Sequence, residues 1–163
     1  MADPLKLTIL KKITSMLLTV TPANGYTNDF TGKVFRGRTL YGTESPETMI
    51  SIVESPRPDQ PNFAGENEVL QEDWLLLIQG WTRDDAVNPT DRLYPMLADV
   101  EKVLFRAVVC NKVGDGMYPD DYRFGGLVVN LQIGPGVVRP PSEVSSKAFF
   151  YLPLRVSLAR QVG

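Results

Sequence analysis

The run from Trp74 to Thr82 constrains the fold of this chain more than any other segment. Successive side chains of a β-strand alternate between two faces, and here both sets are apolar. One set comprises Trp74, Leu76 and Ile78, and the other comprises Leu75, Leu77 and Trp81. We therefore predict a strand that is buried on both sides at the centre of a β-sheet.

The segment from Leu5 to Val20 has the periodicity of an amphipathic helix. Asp3 and Pro4 provide a start signal, and apolar residues then recur at three- and four-residue spacing. A cluster of helix breakers from Thr21 to Gly25 ends the pattern. The pattern predicts a helix with one face in the core.

A second helix is predicted after the capping candidates of Asn88 to Asp91, with Pro95 tolerated in its first turn. Its apolar stripe comprises Leu93, Met96, Leu97, Val100, Val103, Leu104, Ala107 and Val108. The charged residues expected mainly on the opposite, solvent side are Asp91, Asp99, Glu101, Lys102 and Arg106.

The remaining strands are predicted at Lys33 to Leu40, Met49 to Glu54, Leu127 to Ile133 and Phe149 to Leu158. Pro153 lacks a backbone donor, so the last strand is expected at a sheet edge or with a bulge. The order α-β-β-β-α-β-β predicts an α+β fold, in which two main helices pack on a mixed or antiparallel sheet. At 163 residues the chain fits a single domain, 1–163.

The composition argues against several classes of function. The formal net charge of −2 is unlike the basic excess of a dedicated duplex-DNA binder. The chain has no histidine, and its one cysteine, Cys110, is expected to be a buried core thiol. Lysines interrupt the N-terminal apolar stretch, so we expect a soluble protein with no membrane partner.

No residue pattern predicts catalysis, a metal or a cofactor. The pairs Asp84-Asp85 and Asp120-Asp121 have no histidine partner and no calcium-loop spacing, so solvated loop acids are the better interpretation. The spacing of Gly37 and Gly42 fits no phosphate-binding loop and favours a strand with a bulge. No G-x-S-x-G elbow occurs. We expect a protein that is not an enzyme and has no catalytic, cofactor-binding or metal-binding residues.

Two arginines and three long connections are candidate contact surfaces. Arg36 and Arg38 are two residues apart in a predicted strand, which would place both on one side. Such a stripe would face nucleic acid, an acidic protein or solvent. Three predicted loops, residues 55–70, 111–126 and 134–147, are long for a compact domain. The first two carry the aromatic residues Phe63, Tyr118, Tyr122 and Phe124, which are typical of protein contacts.

Several segments taken together resemble the tail terminator, or tail-completion, proteins of tailed bacteriophages. In chain order they are Ile9-Leu10-Lys11-Lys12-Ile13-Thr14, Thr21-Pro22-Ala23-Asn24-Gly25-Tyr26, Val34-Phe35-Arg36-Gly37-Arg38, Leu77-Ile78-Gln79-Gly80-Trp81 and Asn88-Pro89-Thr90-Asp91, followed by Met96-Leu97-Ala98-Asp99-Val100-Glu101. The likeness spans nearly the whole chain.

The resemblance to the lambda-type members of this family implies a structural virion protein without catalytic residues. Such a protein forms a hexameric ring on the last ring of the tail tube, ends tube polymerisation and joins the tail to the neck. Its partners would be its own copies, the tube protein and the neck connector, with genomic DNA only passing through the lumen. Its location would be the tail–neck junction of the virion, after assembly in the bacterial cytoplasm.

Rival interpretations stay open beside this one. A head-completion or neck connector protein of the same phage is the nearest alternative, a tube subunit is a weaker one, and a small-molecule-binding or hydrolytic domain belongs to another class. For a ring subunit we expect Phe63, Tyr118 and Tyr122 in contacts with other subunits or with the tube. Arg36 and Arg38 are the other candidate interface residues.

Overall fold

A computed structural model describes residues 3–38, 47–54, 71–108, 121–141 and 147–159. The predictions made for Gly42, Phe63, Cys110, Tyr118 and Asp120 fall outside these described residues.

The described chain contains two main helices and six strands. The helices are α1 (Leu5–Leu18), α2 (Leu93–Leu104) and the short α3 (Arg123–Gly126). Single 3-10 turns lie at Pro22–Asn24 and, directly after α2, at Phe105–Ala107. The strands are β1 (Val34–Arg36), β2 (Met49–Glu54), β3 (Gln71–Trp81), β4 (Asn130–Ile133), β5 (Val137–Arg139) and β6 (Phe149–Ala159). The predicted α+β class with two main helices is confirmed.

The strands form one sheet in the order β1-β2-β3-β6-β4, with β5 also paired to β6. Only the β1–β2 pair is parallel. The longest ladder joins β3 to β6 from Gln71 opposite Ala159 to Trp81 opposite Phe149. This ladder places β3 at the centre of the sheet, as predicted.

Both main helices pack on the same face of the sheet, which makes a two-layer domain. Ile13 of α1 and Val100 of α2 belong to one buried cluster with Leu76 of β3. On the other face Leu75 and Leu77 are only half-buried. Trp81, the third residue predicted on this face, is buried, at 4% exposure. The prediction that β3 is buried on both sides therefore holds at Trp81 and is wrong at Leu75 and Leu77, where neither main helix covers the sheet.

The end of the chain differs from the sequence prediction in two ways. Residues 134–147 were expected to be a loop, but Val137–Arg139 within them form β5. The prediction of an edge or a bulge at Pro153 is wrong as to the edge, because β6 pairs on both sides. The carbonyl of Pro153 accepts a bond from the N–H of Gly134, so Pro153 faces the gap between β4 and β5. The N–H group that a proline lacks would face this gap, so its absence removes no hydrogen bond between paired strands.

Asp99 is the clearest error of the helical prediction. It was expected on the solvent side of α2, but its side chain is buried, at 5% exposure. Its carboxylate accepts hydrogen bonds from the backbone N–H groups of Thr27 (3.3 Å) and Asn28 (2.7 Å) and from the Asn28 side chain (2.9 Å). Asp99 thus supplies the acceptor for backbone N–H groups of the loop after α1, a role that helical periodicity does not indicate.

The start of α2 also departs from the prediction. Arg92 is the N-cap residue and makes no side-chain capping bond, so none of the candidates from Asn88 to Asp91 caps the helix. The carbonyl of Thr90 instead accepts a bond from the N–H of Leu93. Pro95 lies in the first turn of α2, as predicted. None of the described helices is long and apolar enough to cross a membrane.

Candidate functional site

Each acidic residue considered for catalysis that the structure describes holds the backbone or another element in place. Asp84 accepts a hydrogen bond from the N–H of Ala148 at 3.1 Å. Asp121 forms an ion pair with Lys12 of α1 at 2.8 Å. Asp85 accepts bonds from the N–H groups of Asn88 (2.8 Å) and Val87 (3.0 Å). These bonds, with a smaller effect of Arg92, hold the pKa of Asp85 below its usual range.

Among the described residues, no three side chains of the histidine, cysteine, aspartate or glutamate type come close enough to hold a metal ion. Asp29 is a second acid with a lowered pKa, because the hydroxyl and the N–H of Thr31 donate to its carboxylate and Lys33 adds a smaller attraction. This is the geometry of a local turn.

The two arginines predicted to form one stripe lie on opposite faces of the sheet. The Arg36 guanidinium donates to the hydroxyl of Thr14 in α1 at 2.9 Å, on the helical side. The Arg38 guanidinium lies 3.9 Å from the ring centre of Phe35, whose strand position points to the other face. Gly37 has φ +77 and ends β1, so the alternation of side chains stops there. The stripe geometry is therefore wrong, although both side chains are exposed.

Tyr122 precedes a turn with left-handed backbone. Arg123, Phe124, Gly125 and Gly126 all have positive φ, of 50, 54, 72 and 87. The Phe124 side chain is almost fully buried, and the Arg123 guanidinium lies 5.2 Å from the ring centre of Tyr122. Non-glycine residues in this region cost about 1–2 kcal/mol each. The burial of Phe124 holds the strained turn in place and leaves Tyr122 half-buried beside it.

An apolar stripe along α2 and the start of the 3-10 turn after it points away from the sheet. It consists of Tyr94, Ala98 and Phe105, whose spacing of four and seven residues places them on one side of the helix. Tyr94 is 58% exposed and Phe105 is 45% exposed, whereas the opposite side of α2 is in the core. We call these three residues the helix stripe.

An apolar groove crosses the sheet face that neither main helix covers. The groove has a volume of about 320 Å³. Leu75, Leu77 and Pro153 form its apolar surface, and Gln132, Gly134 and Arg155 form its rim. We call these six residues the sheet groove. The backbone at its rim is close-packed, since a Cβ on Gly134 would lie 2.7 Å from Cγ of Pro153.

Aromatic side chains continue this apolar face beyond the sheet groove. The rings of Trp81 and Phe149 are stacked with centroids 6.1 Å apart, and Phe149 is 6.5 Å from Tyr151. Arg155 and Arg139 are exposed cations on this part of the face. The acid Asp73 accepts a hydrogen bond from the hydroxyl of Ser157 at 2.8 Å.

Three of the predicted interface residues, Arg36, Arg38 and Tyr122, lie within the described part of the chain. Arg36 and Arg38 lie at the β1 edge of the sheet, whereas the sheet groove lies at the β4 edge. Tyr122 lies in the turn before α3. Sequence reasoning missed both the helix stripe and the sheet groove. The signals were the spacing of Tyr94, Ala98 and Phe105 and the second apolar face of β3.

The chain matches no model of a known protein family, and no curated protein matches it significantly.

Proposed function

We propose that this protein is a structural subunit of a tailed bacteriophage that caps the tail tube as a ring and joins the tail to the neck. Two lines of argument support the proposal. One is the resemblance of the six ordered segments to tail terminator proteins. The other is the pair of apolar surfaces on opposite sides of the domain, the exposed helix stripe and the half-buried sheet groove.

The main observation behind the proposal is that the helix stripe and the sheet groove are different surfaces. The helix stripe lies on the outer side of the helical layer, and the sheet groove lies on the outer side of the sheet. Exposed apolar surface on a folded domain commonly marks an interaction site. When one patch of a subunit meets a different patch on the next copy, the assembly either closes into a ring or grows as a filament. A subunit with two unlike patches is suited to such an assembly.

The acidic residues first considered for catalysis fit the same proposal. Asp84, Asp85 and Asp121 each hold a neighbouring element by a hydrogen bond or an ion pair. These contacts therefore stabilise the domain. The proposal assigns them no chemical step.

The sheet groove also supports a second candidate function, a small-molecule-binding domain. Its volume of about 320 Å³ is near the lower end of the range of ligand pockets, roughly 300–1,000 Å³. A ligand that binds the folded state raises the unfolding temperature in a concentration-dependent way. A thermal-shift screen of metabolites separates the two functions: a saturable rise in unfolding temperature that Leu77→Asp abolishes would favour ligand binding.

The experiment for the proposed function is removal of the gene from the phage or prophage that encodes the chain. Negative-stain images of the lysate should show tails that are overlong or lack heads, and the wild-type gene on a plasmid should restore joined tails of normal length. Full heads that lack tails, beside tails of normal length, would favour the neck connector instead. Normal joined tails in the deletion strain would refute both assignments.

A further inference from the structure

We infer that the helix stripe of one subunit docks into the sheet groove of the next copy, with Glu101 facing Arg155 across the contact. The inference rests on the proposed function, because it names the contact that would build the ring.

The helix side of the contact is a projecting surface. Tyr94 and Phe105 protrude at the two ends of the helix stripe, and the small, exposed Ala98 between them allows another backbone to approach. Glu101 lies on the same side of α2, half-buried, with its Oε1 3.1 Å from where a Cβ on Gly136 of its own chain would be. Tyrosine is enriched among the residues that dominate the energetics of protein interfaces. The helix stripe therefore has an aromatic anchor and an acid beside it.

The sheet side of the contact is concave and apolar, and the charged residue at its rim is a cation. Leu75, Leu77 and Pro153 are half-buried around a space that can receive an aromatic ring. Arg155 at the rim is exposed, and Arg139 adds a second exposed cation further along the same face. Asp73, an exposed acid on the same face, accepts a hydrogen bond from Ser157. The sheet groove thus offers a concave apolar surface to the helix stripe and the cation Arg155 to Glu101.

Charge also favours a head-to-tail contact over a symmetrical dimer. The exposed cation on this side of α2, Lys102, is turned to the loop after α1, where it donates to the carbonyl of Gly25 at 3.2 Å. Pairing two helix stripes would then bring the two Glu101 carboxylates together, and pairing two sheet grooves would bring the two Arg155 side chains together. Like charges at an interface oppose association, whereas Glu101 against Arg155 is attractive. Because the two patches lie on opposite sides of one domain, each copy can use both at once, as a ring requires.

The first test uses sedimentation velocity of the purified full chain over a concentration series. Tyr94→Ala, Glu101→Arg and Arg155→Glu should each weaken self-association by about tenfold or more. Glu101→Arg combined with Arg155→Glu should recover most of the loss, because the attraction is restored with its sign reversed. Leu18→Ala is the control, since Leu18 is 40% exposed and lies on α1 outside both patches. Thermal unfolding of each variant verifies that the fold is intact.

The second test is disulfide trapping in a Cys110→Ser background. Ala98→Cys with Gln132→Cys places one thiol in the helix stripe and one at the rim of the sheet groove. Mild oxidation should give a ladder of covalent oligomers that ends at a closed ring, whereas either single-cysteine variant has no thiol opposite its own across the contact and should stay monomeric on a non-reducing gel. Failure of the double variant to form a ladder, under conditions in which the chain self-associates, would refute the contact.

These outcomes are separable from the failure of the proposed function. Rings that form equally well in the Tyr94, Glu101 and Arg155 variants would overturn the docking contact and leave the terminator function standing. A chain that stays monomeric up to millimolar concentration would also overturn the contact. Normal tails in the gene-deletion strain would overturn the function, whatever the oligomers do.

Discussion

The carboxylate of Asp99 binds both the backbone N–H and the side-chain amide of Asn28, at 2.7 and 2.9 Å. The two residues are 71 positions apart in the chain. The bonds therefore join the middle of α2 to the loop that follows α1. They are supplemented by Lys102, which donates to the carbonyl of Gly25 at 3.2 Å. One face of α2 thus organises a loop that has no regular ladder of its own.

Replacement of Asp99 should destabilise the protein. Asp99→Ala leaves the N–H groups of Thr27 and Asn28 without their acceptor, and loss of hydrogen bonds to a charged group costs roughly 1.5–3 kcal/mol. Urea unfolding should show a lower midpoint with an unchanged slope. Asp91→Asn, an exposed change just before α2, is the matched control and should have no effect. Equal midpoints for Asp99→Ala and the wild type would contradict the assigned role.

Gly80 should not accept a side chain. A Cβ at this position would lie 2.1 Å from Cε1 of Phe150, which is opposite Gly80 in the ladder and fully buried. Forcing an extra carbon into a packed core costs about 1–3 kcal/mol, so Gly80→Ala should lower the free energy of unfolding by that amount. Adding Phe150→Leu should recover part of the loss. Strictly additive effects of the two changes in a double-mutant cycle would show that the ring does not cause the cost.

At Gly126 the energetic cost of backbone strain can be measured separately from the cost of side-chain packing. Its φ is +87, and a Cβ there would meet no atom of the described structure within 4 Å. Gly126→Ala should therefore destabilise the protein by about 1–2 kcal/mol through conformation alone. Gly126→Asn should cost less, because asparagine visits the left-handed region more readily. Denaturant titration of the two variants measures the difference, and a neutral Gly126→Ala would refute the left-handed turn.

The lowered pKa of Asp85 predicts that the stability of the protein depends on pH. The N–H groups of Asn88 and Val87 lower the pKa of its carboxyl in the folded state relative to the unfolded state. The ionised form therefore stabilises the fold at neutral pH, and this contribution disappears as the pH falls through the folded-state pKa, below about 4. Asp85→Asn should be less stable than the wild type at pH 7. The difference should shrink toward pH 2, and a constant gap over that range would count against the prediction.

The local sequence pattern predicts a helix or a strand correctly where apolar residues recur at a regular spacing. The spacing of Ile9, Ile13 and Leu17 predicts the buried side of α1, and all three are buried. Met49 to Glu54 was predicted as a strand and is β2 with the same bounds. Such patterns work because a helix or strand turns its side chains toward the core at a fixed period.

Contacts between distant segments account for the errors. Asp99 is buried because the loop at Asn28 needs an acceptor, and Pro153 is tolerated in a central strand because it faces the gap between β4 and β5. The Arg36–Arg38 stripe fails because Gly37 ends the strand at φ +77. In each case the position of the side chain depends on a partner residue or a dihedral angle that the spacing of apolar residues does not indicate.

The sequence by itself determined the α+β class, the central position of β3 and the core-facing sides of both main helices. Only the tertiary structure decided which sheet face the two main helices cover and which side of α2 points outward. Periodicity records how much apolar surface a segment has, whereas the placement of both helices on one face is a property of the whole chain. That placement left Leu75 and Leu77 half-buried and Tyr94 exposed, on the two surfaces through which we propose that the subunits join.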